Sequence, residues 1–162
     1  MVKDKIQKTI IGIDPGLADT GWGVIRVAAG ANLSCLACGS LKTPAGQSLP
    51  ARLEAIARGL LLIIKKYQPD LMAVEELFFC ANVKTALAVG QARGVVVLTA
   101  SQNRLPIFEY TPLQVKQAVS SYGRASKEQV GRMVKLILQL DEIPRPDDAA
   151  DALAVAICAA NV

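Results

Sequence analysis

The chain has 162 residues, 52% of them hydrophobic, which suffices for one domain with a sizeable core and excludes an intrinsically disordered segment. Its net charge is +4, from 18 basic and 14 acidic side chains, a balance that suits a polyanionic partner without requiring one. Histidine is absent, so Ser-His-Asp catalysis, imidazole bases and His-containing metal centres are excluded; any hydrolytic chemistry rests on carboxylates and the hard ions they favour, Mg²⁺ or Mn²⁺.

The first residues, MVKDKIQK, are polar and do not read as a secretory signal. No apolar run approaches the ~20 residues of a bilayer span. The expectation is one cytoplasmic domain over residues 1–162 with no membrane partner. Ile10-Ile11-Gly12-Ile13 is β-branched and apolar and reads as a buried strand. It stops on Asp14, and Pro15-Gly16 turns the chain. Trp22-Gly23-Val24-Ile25 is a second strand, giving a hairpin with Asp14 at the C-terminal end of its first arm. A carboxylate there is costly to bury unpaired, and a divalent cation would compensate it; alternatively Asp14 merely opens the turn.

Residues 33–43 form a third strand-like run. It holds Cys35-x-x-Cys38, half of a zinc or redox motif, but a second pair and any histidine are missing. With Cys80 and Cys158 these thiols read as reduced, small apolar residues. Ser48 is placed to cap the next helix, with Pro50 in its first turn, and that helix runs to about Tyr67. Leu53, Ile56, Leu60, Ile63 and Ile64 give it one buried face.

Leu71-Met72-Ala73-Val74 is another short strand that runs into acids, Glu75 and Glu76. Strand neighbours point to opposite faces, so only one of them can share a site with Asp14. After the apolar Leu77-Phe78-Phe79-Cys80, Asn82 caps a helix to about Asn103. Its Gly90-x-x-x-Gly94, with Ala86, Ala88 and Ala92, makes a small-residue face that packs closely on the sheet or on a second subunit. Ile107-Phe108-Glu109-Tyr110 is the fifth strand, and Thr111-Pro112 opens a helix to Ser120. Ser126-Lys127-Glu128-Gln129 matches a capping box and starts a helix to about Leu140; the last helix spans residues 147–160. Three hairpin-joined strands followed by alternating strands and helices predict an α/β mixed five-stranded sheet with helices on both faces.

The last helix begins Asp147-Asp148-Ala149-Ala150-Asp151. Asp148 and Asp151 share a face. Acids in a first turn suit the helix dipole, but Asp151 lies past the cap in a run of Ala, Leu, Val and Ile that is expected to be buried. Asp14, Glu75, Asp148 and Asp151 therefore come from two strand ends and one helix start, and converge if the strands are neighbours with the helix packed on them. Crowded carboxylates repel, and metal ions relieve that. Two Mg²⁺ about 3.5–4 Å apart would activate a water and stabilise a phosphodiester's leaving oxygen without histidine. From Arg93 to Lys135 the basic residues Arg93, Arg104, Lys116, Arg124, Lys127, Arg132 and Lys135 face only Glu109 and Glu128, a surface a phosphate backbone can approach. Each lysine can equally be a solvated helix residue.

GIDPG…TGWGVI, AVEELF, GQARG, VKQAV and DDAADALAVA, in this order, resemble the RuvC family of Holliday-junction resolvases over nearly the whole chain. The resemblance implies a ribonuclease H-like fold, a homodimer that cuts a four-way DNA junction symmetrically, and work beside a branch-migration motor. It implies catalytic and metal-holding acids at Asp14, Glu75, Asp148 and Asp151, a junction wedge at Phe78, and DNA-binding lysines at Lys116 and Lys127. Asp147 adds a neighbouring acid that competes with Asp148 for the inward position. The rival readings are an actin-like ATPase, normally two such domains and much longer, a related nuclease on RNA or an RNA–DNA hybrid, and a junction-binding module without catalysis.

Overall fold

The computed structural model describes residues 7–76 and 82–161. In chain order these form β1 (Lys8–Asp14), β2 (Asp19–Val27), β3 (Leu33–Lys42), α1 (Leu49–Tyr67), β4 (Leu71–Glu75), α2 (Val83–Gln102), β5 (Ile107–Tyr110), α3 (Pro112–Ser120), α4 (Lys127–Ile137) and α5 (Asp147–Ala160). The five strands make one sheet in the order β3-β2-β1-β4-β5. β1, β2 and β3 are antiparallel neighbours, while β4 runs parallel to β1 and β5 parallel to β4. The expected α/β mixed sheet is therefore present, and β1 at its centre carries Asp14 beside β4, which carries Glu75.

Alternation along the strands divides the core in two. Ile10, Ile25, Leu71 and Ala73 pack with α3, α4 and α5 on one face. Ile11, Ile13, Val24, Met72 and Val74 pack with Ile56, Leu60 and Ile63 of α1 and Ala92 and Val96 of α2 on the other. Ile10 and Ile11 are adjacent and both fully buried, which explains why β1 reads as an unbroken apolar run.

α5 lies directly against β1 and β2. A Cβ on Gly12 would stand 2.0 Å from the Ala152 carbonyl oxygen, and one on Gly21 would stand 2.0 Å from that of Asp148. The strand glycines and the alanines of DDAADALAVA thus serve one purpose. They remove side chains from both sides so that the helix backbone touches the sheet. This close approach fixes where the first turn of α5 meets the end of β1.

The caps follow the sequence with two differences. Asn82 accepts from the Lys84 amide at 3.0 Å, and Ser126 and Gln129 form the expected capping box. Ser48 occupies the N-cap position of α1, but its side chain makes no capping hydrogen bond. α4 ends at Ile137 rather than near Leu140, because Gln139 turns left-handed with φ 52° and the Leu140 amide donates back to the Lys135 carbonyl at 2.9 Å. No glycine announces this stop.

Candidate active site

Asp14 ends β1 and Glu75 ends β4, the strand hydrogen-bonded beside it. Asp148 and Asp151 stand in the first turns of α5, which the glycine contacts press onto this end of the sheet. Asp14, Asp148 and Asp151 each offer a carboxylate oxygen, and these oxygens lie within 4.8 Å of one another. Glu75 lies outside that tight group but lines a cavity of about 300 Å³ together with Asp14, Asp151, Lys116 and Lys127. Three of the predicted acids thus converge tightly, with the fourth beside them.

The electrostatics record the crowding. The Asp14 carboxyl is pushed up to about 8, first by burial and then by repulsion from Glu75, Asp151 and Asp148, with Lys127 opposing. Burial and Asp151 raise Glu75, and Lys127 and Lys116 hold it back. Asp148 is raised by burial, then by Asp19 and Asp151, again against Lys127. A set of crowded, part-buried carboxylates of this kind fits a divalent hard cation, since oxygen ligands and excess negative charge are what such an ion requires.

Lys127, the first residue of α4, places its Nζ 3.1 Å from Asp151 Oδ2. Burial decides the choice between Asp147 and its neighbours. The Asp147 side chain is 71% exposed and pairs with Arg145 at 3.4 Å, whereas that of Asp151 is only 22% exposed. Asp147 points away from the centre, and Asp148 joins it.

The predicted DNA-contacting residues separate into groups. Lys116 and Lys127 line the carboxylate cavity. Arg124 is exposed in the loop before α4. Arg93 is drawn into a salt bridge with Glu109, tying α2 to β5, and is not among the residues around the acids. Phe78 lies outside the described residues.

Sequence reasoning missed Asp19. It starts β2, is the foremost charged neighbour of Asp148, and keeps Oδ1 buried without a hydrogen-bond partner among the described residues. The signal was in the hairpin register: Asp14 pairs with Gly21, so residue 19 sits just beyond the strand end where the acids collect. A second cavity, of about 470 Å³, opens on the other side of this turn between Gly16, Asp19, Arg52, Lys84 and Thr85. The starts of α3, α4 and α5 border the carboxylate cavity, and that of α2 borders the second one; a helix N-terminus favours negative charge.

A sheet of this order with acids at the ends of two adjacent parallel strands and the start of a covering helix defines a ribonuclease H-like nuclease. The sequence profile described as "Crossover junction endodeoxyribonuclease RuvC" matches residues 10–159, and the chain belongs to that family. A protein of that name from Natranaerobius thermophilus is 58% identical over 149 residues, covering 92% of each chain. Its counterpart from Rubrobacter xylanophilus is 52% identical over 158 residues, covering 98% of this chain and 88% of the relative. The structure of Thermus thermophilus RuvC in complex with a Holliday junction substrate superposes with a TM-score of 0.88 at 38% identity, over 93% of this chain and 92% of that one. The yeast mitochondrial Holliday junction resolvase Ydc2 shares the fold at 15% identity, with a TM-score of 0.66 over 92% of this chain and 76% of its own.

Proposed function

We propose that this chain is an endonuclease that resolves four-way DNA junctions by metal-dependent hydrolysis of phosphodiesters in recombination and repair. The observation that carries the reading is the convergence of Asp14, Asp148 and Asp151, with Glu75 beside them, next to the cationic Lys116 and Lys127. Two Mg²⁺ ions, with Mn²⁺ as a substitute, would be held by Asp14, Glu75, Asp148 and Asp151. Bound there, they supply water activation and charge neutralisation at the phosphate. The chain's own groups do the remaining work. Asp14 and Glu75, fixed by the sheet, set the position of the site. Asp148 and Asp151 close it from the helix side. Lys116 and Lys127 draw a phosphate over the acids that would otherwise repel it, and the exposed Arg124 extends that path. Arg93, paired with Glu109, is a further candidate for contact with the DNA backbone.

A junction with two-fold symmetry needs two matched cuts, and one such centre serves one strand. We therefore infer a C2 homodimer. α2 supports this. By length and hydropathy it is apolar enough to cross a membrane, yet Ala92, Val96 and Ala100 are buried in the fold and Lys84 and Arg93 interrupt it. Its outer side leaves Val83 80%, Leu87 63% and Leu98 57% exposed, and a Cβ on Gly94 meets nothing within 4 Å. A cytoplasmic location beside a branch-migration motor accords with this role, as does a wedge at Phe78.

The deciding experiment is cleavage of a mobile synthetic four-way junction with and without Mg²⁺, beside a linear duplex and an RNA–DNA hybrid. Paired, Mg²⁺-dependent nicks confined to the junction are expected. Preferential cutting of the hybrid would replace this reading with that of an RNA-directed nuclease.

A further inference from the structure

Among the described residues, the buried polar side chains are Thr20, Thr43 and Thr99. Thr99 bonds back to its own helix, at the Val95 carbonyl. The other two serve one short connection, residues 15–18, which joins Asp14 at the end of β1 to Asp19 at the start of β2. The Thr20 hydroxyl donates to the Gly16 carbonyl at 2.6 Å. The Thr43 hydroxyl donates to the Leu17 carbonyl, and the Thr43 amide donates to the Ala18 carbonyl at 3.0 Å. Three successive carbonyls of the connection are thus tied down. It is also tight, since a Cβ on Gly16 would stand 2.3 Å from the Asp19 carbonyl oxygen.

Arg52 determines which way the Thr43 hydroxyl points. It stands in the first turns of α1 and is half-buried. Its Nε donates to Thr43 Oγ1 at 2.8 Å, and its Nη2 lies 3.5 Å from the Thr43 carbonyl oxygen. A guanidinium can only donate, and a hydroxyl has one proton. The hydroxyl therefore accepts from Arg52 and directs its own proton at Leu17, and the charge at the head of the chain strengthens both bonds. This links α1, the residue after β3 and the β1–β2 connection. α1 packs on the face of the sheet opposite α5, so Asp14 is braced from the side that does not carry Asp148 and Asp151.

We propose that Arg52 and Thr43 are positioning residues of the nuclease centre, which lock the connection from Asp14 to Asp19 and so fix the Asp14 carboxylate where it meets an ion. This rests on the reading of Asp14 as a metal-holding acid. Neither side chain belongs to the acid cluster or lines its cavity; both act through the Leu17 backbone. Arg52 also borders the cavity of about 470 Å³ beside Asp19, and the rival role for it is a direct contact with a DNA phosphate.

The test measures Mn²⁺ binding by calorimetry without DNA, junction affinity, and the cleavage rate of bound junction, well below each protein's melting temperature. Thr43→Val keeps the shape and loses the hydroxyl. It is expected to bind Mn²⁺ and to cleave about tenfold less well, with junction affinity unchanged. Thr43→Ser is expected to restore both. Arg52→Met is expected to show a smaller version of the same defect, and to add nothing in the Thr43→Val background, because the two residues act through one hydroxyl. Wild-type Mn²⁺ affinity in both Thr43→Val and Arg52→Met would overturn the proposal, even with lowered melting temperatures. Additive losses, or a Thr43→Ser as defective as Thr43→Val, would do the same. Weaker junction binding by Arg52→Met at unchanged Mn²⁺ affinity would assign Arg52 to the phosphate instead. Arg52→Met alone decides if Thr43→Val does not fold. A wild type that binds no Mn²⁺ would overturn the metal reading and this one with it, which separates the two failures.

Discussion

The Lys127 ammonium lies 3.1 Å from the Asp151 carboxylate, and its charge opposes the upward shift of Asp14, Glu75 and Asp148 alike. One exposed lysine therefore offsets part of the charge of the whole acidic centre. Lys127→Met keeps the aliphatic stem and removes the charge. Mn²⁺ is expected to bind this variant roughly tenfold more tightly in the absence of DNA, as read by calorimetry. Junction binding is expected to weaken, with a salt slope shallower by about 1. Weaker Mn²⁺ binding would show instead that Lys127 serves to hold Asp151 in place.

Asp14→Asn is expected to lower cleavage by at least ~100-fold, while junction binding is retained or strengthened. Asparagine keeps the shape and removes the negative charge that an ion requires. Cleavage and gel-shift assays on the same preparation separate the two effects.

The raised Asp14 carboxyl also predicts a pH dependence. Its folded value of about 8 lies above the ordinary Asp value of 3.8, so between those limits the folded state binds more protons than the unfolded state. Stability of the metal-free protein is therefore expected to fall as pH rises from about 4 to about 8, by up to ~1.4 kcal/mol per unit from this group. Denaturant melts in EDTA at pH 5 and pH 8 measure it. Asp14→Asn is expected to flatten the trend, and added Mg²⁺ to oppose it.

Gly21→Ala would drive a methyl group to 2.0 Å from the Asp148 carbonyl oxygen. The start of α5 has to move, at a cost of about 1–3 kcal/mol or more. A lower melting temperature together with lost cleavage is expected. Gly23→Ala meets the Leu153 side chain first, and a smaller loss of cleavage is expected there.

Gly94→Leu separates assembly from folding. Because nothing lies near this position within the chain, the fold is expected to keep or slightly raise its stability, since leucine favours helix over glycine by up to ~1 kcal/mol. Sedimentation is expected to show monomers that do not make paired cuts. A large drop in melting temperature would mean that Gly94 packs within its own subunit.

Much was legible in the sequence because the signals were local. Asp14 follows β-branched residues and precedes Pro-Gly, so both a strand and its end are marked. The heptad-like Ile56, Leu60, Ile63 and Ile64 define the buried side of α1, and the Ser126–Gln129 capping box defines the start of α4. Even the chemistry could be narrowed, because a chain without histidine must use its carboxylates. What the sequence left open depended on contacts between distant segments. Only the tertiary structure decided that Asp147 turns outward to Arg145 while Asp148 turns inward, since both suit a first helical turn equally well. It also brought in Asp19 through the register of the hairpin and withdrew Arg93 into a pair with Glu109. The bulge at Leu36 puts Cys35 and Cys38 on the same side of β3, which their spacing in a regular strand would not. The common reason is that periodicity reports which face a residue occupies within its own element. Convergence of charge is set by how closely two backbones approach, and here that is fixed by glycines meeting the backbone of α5.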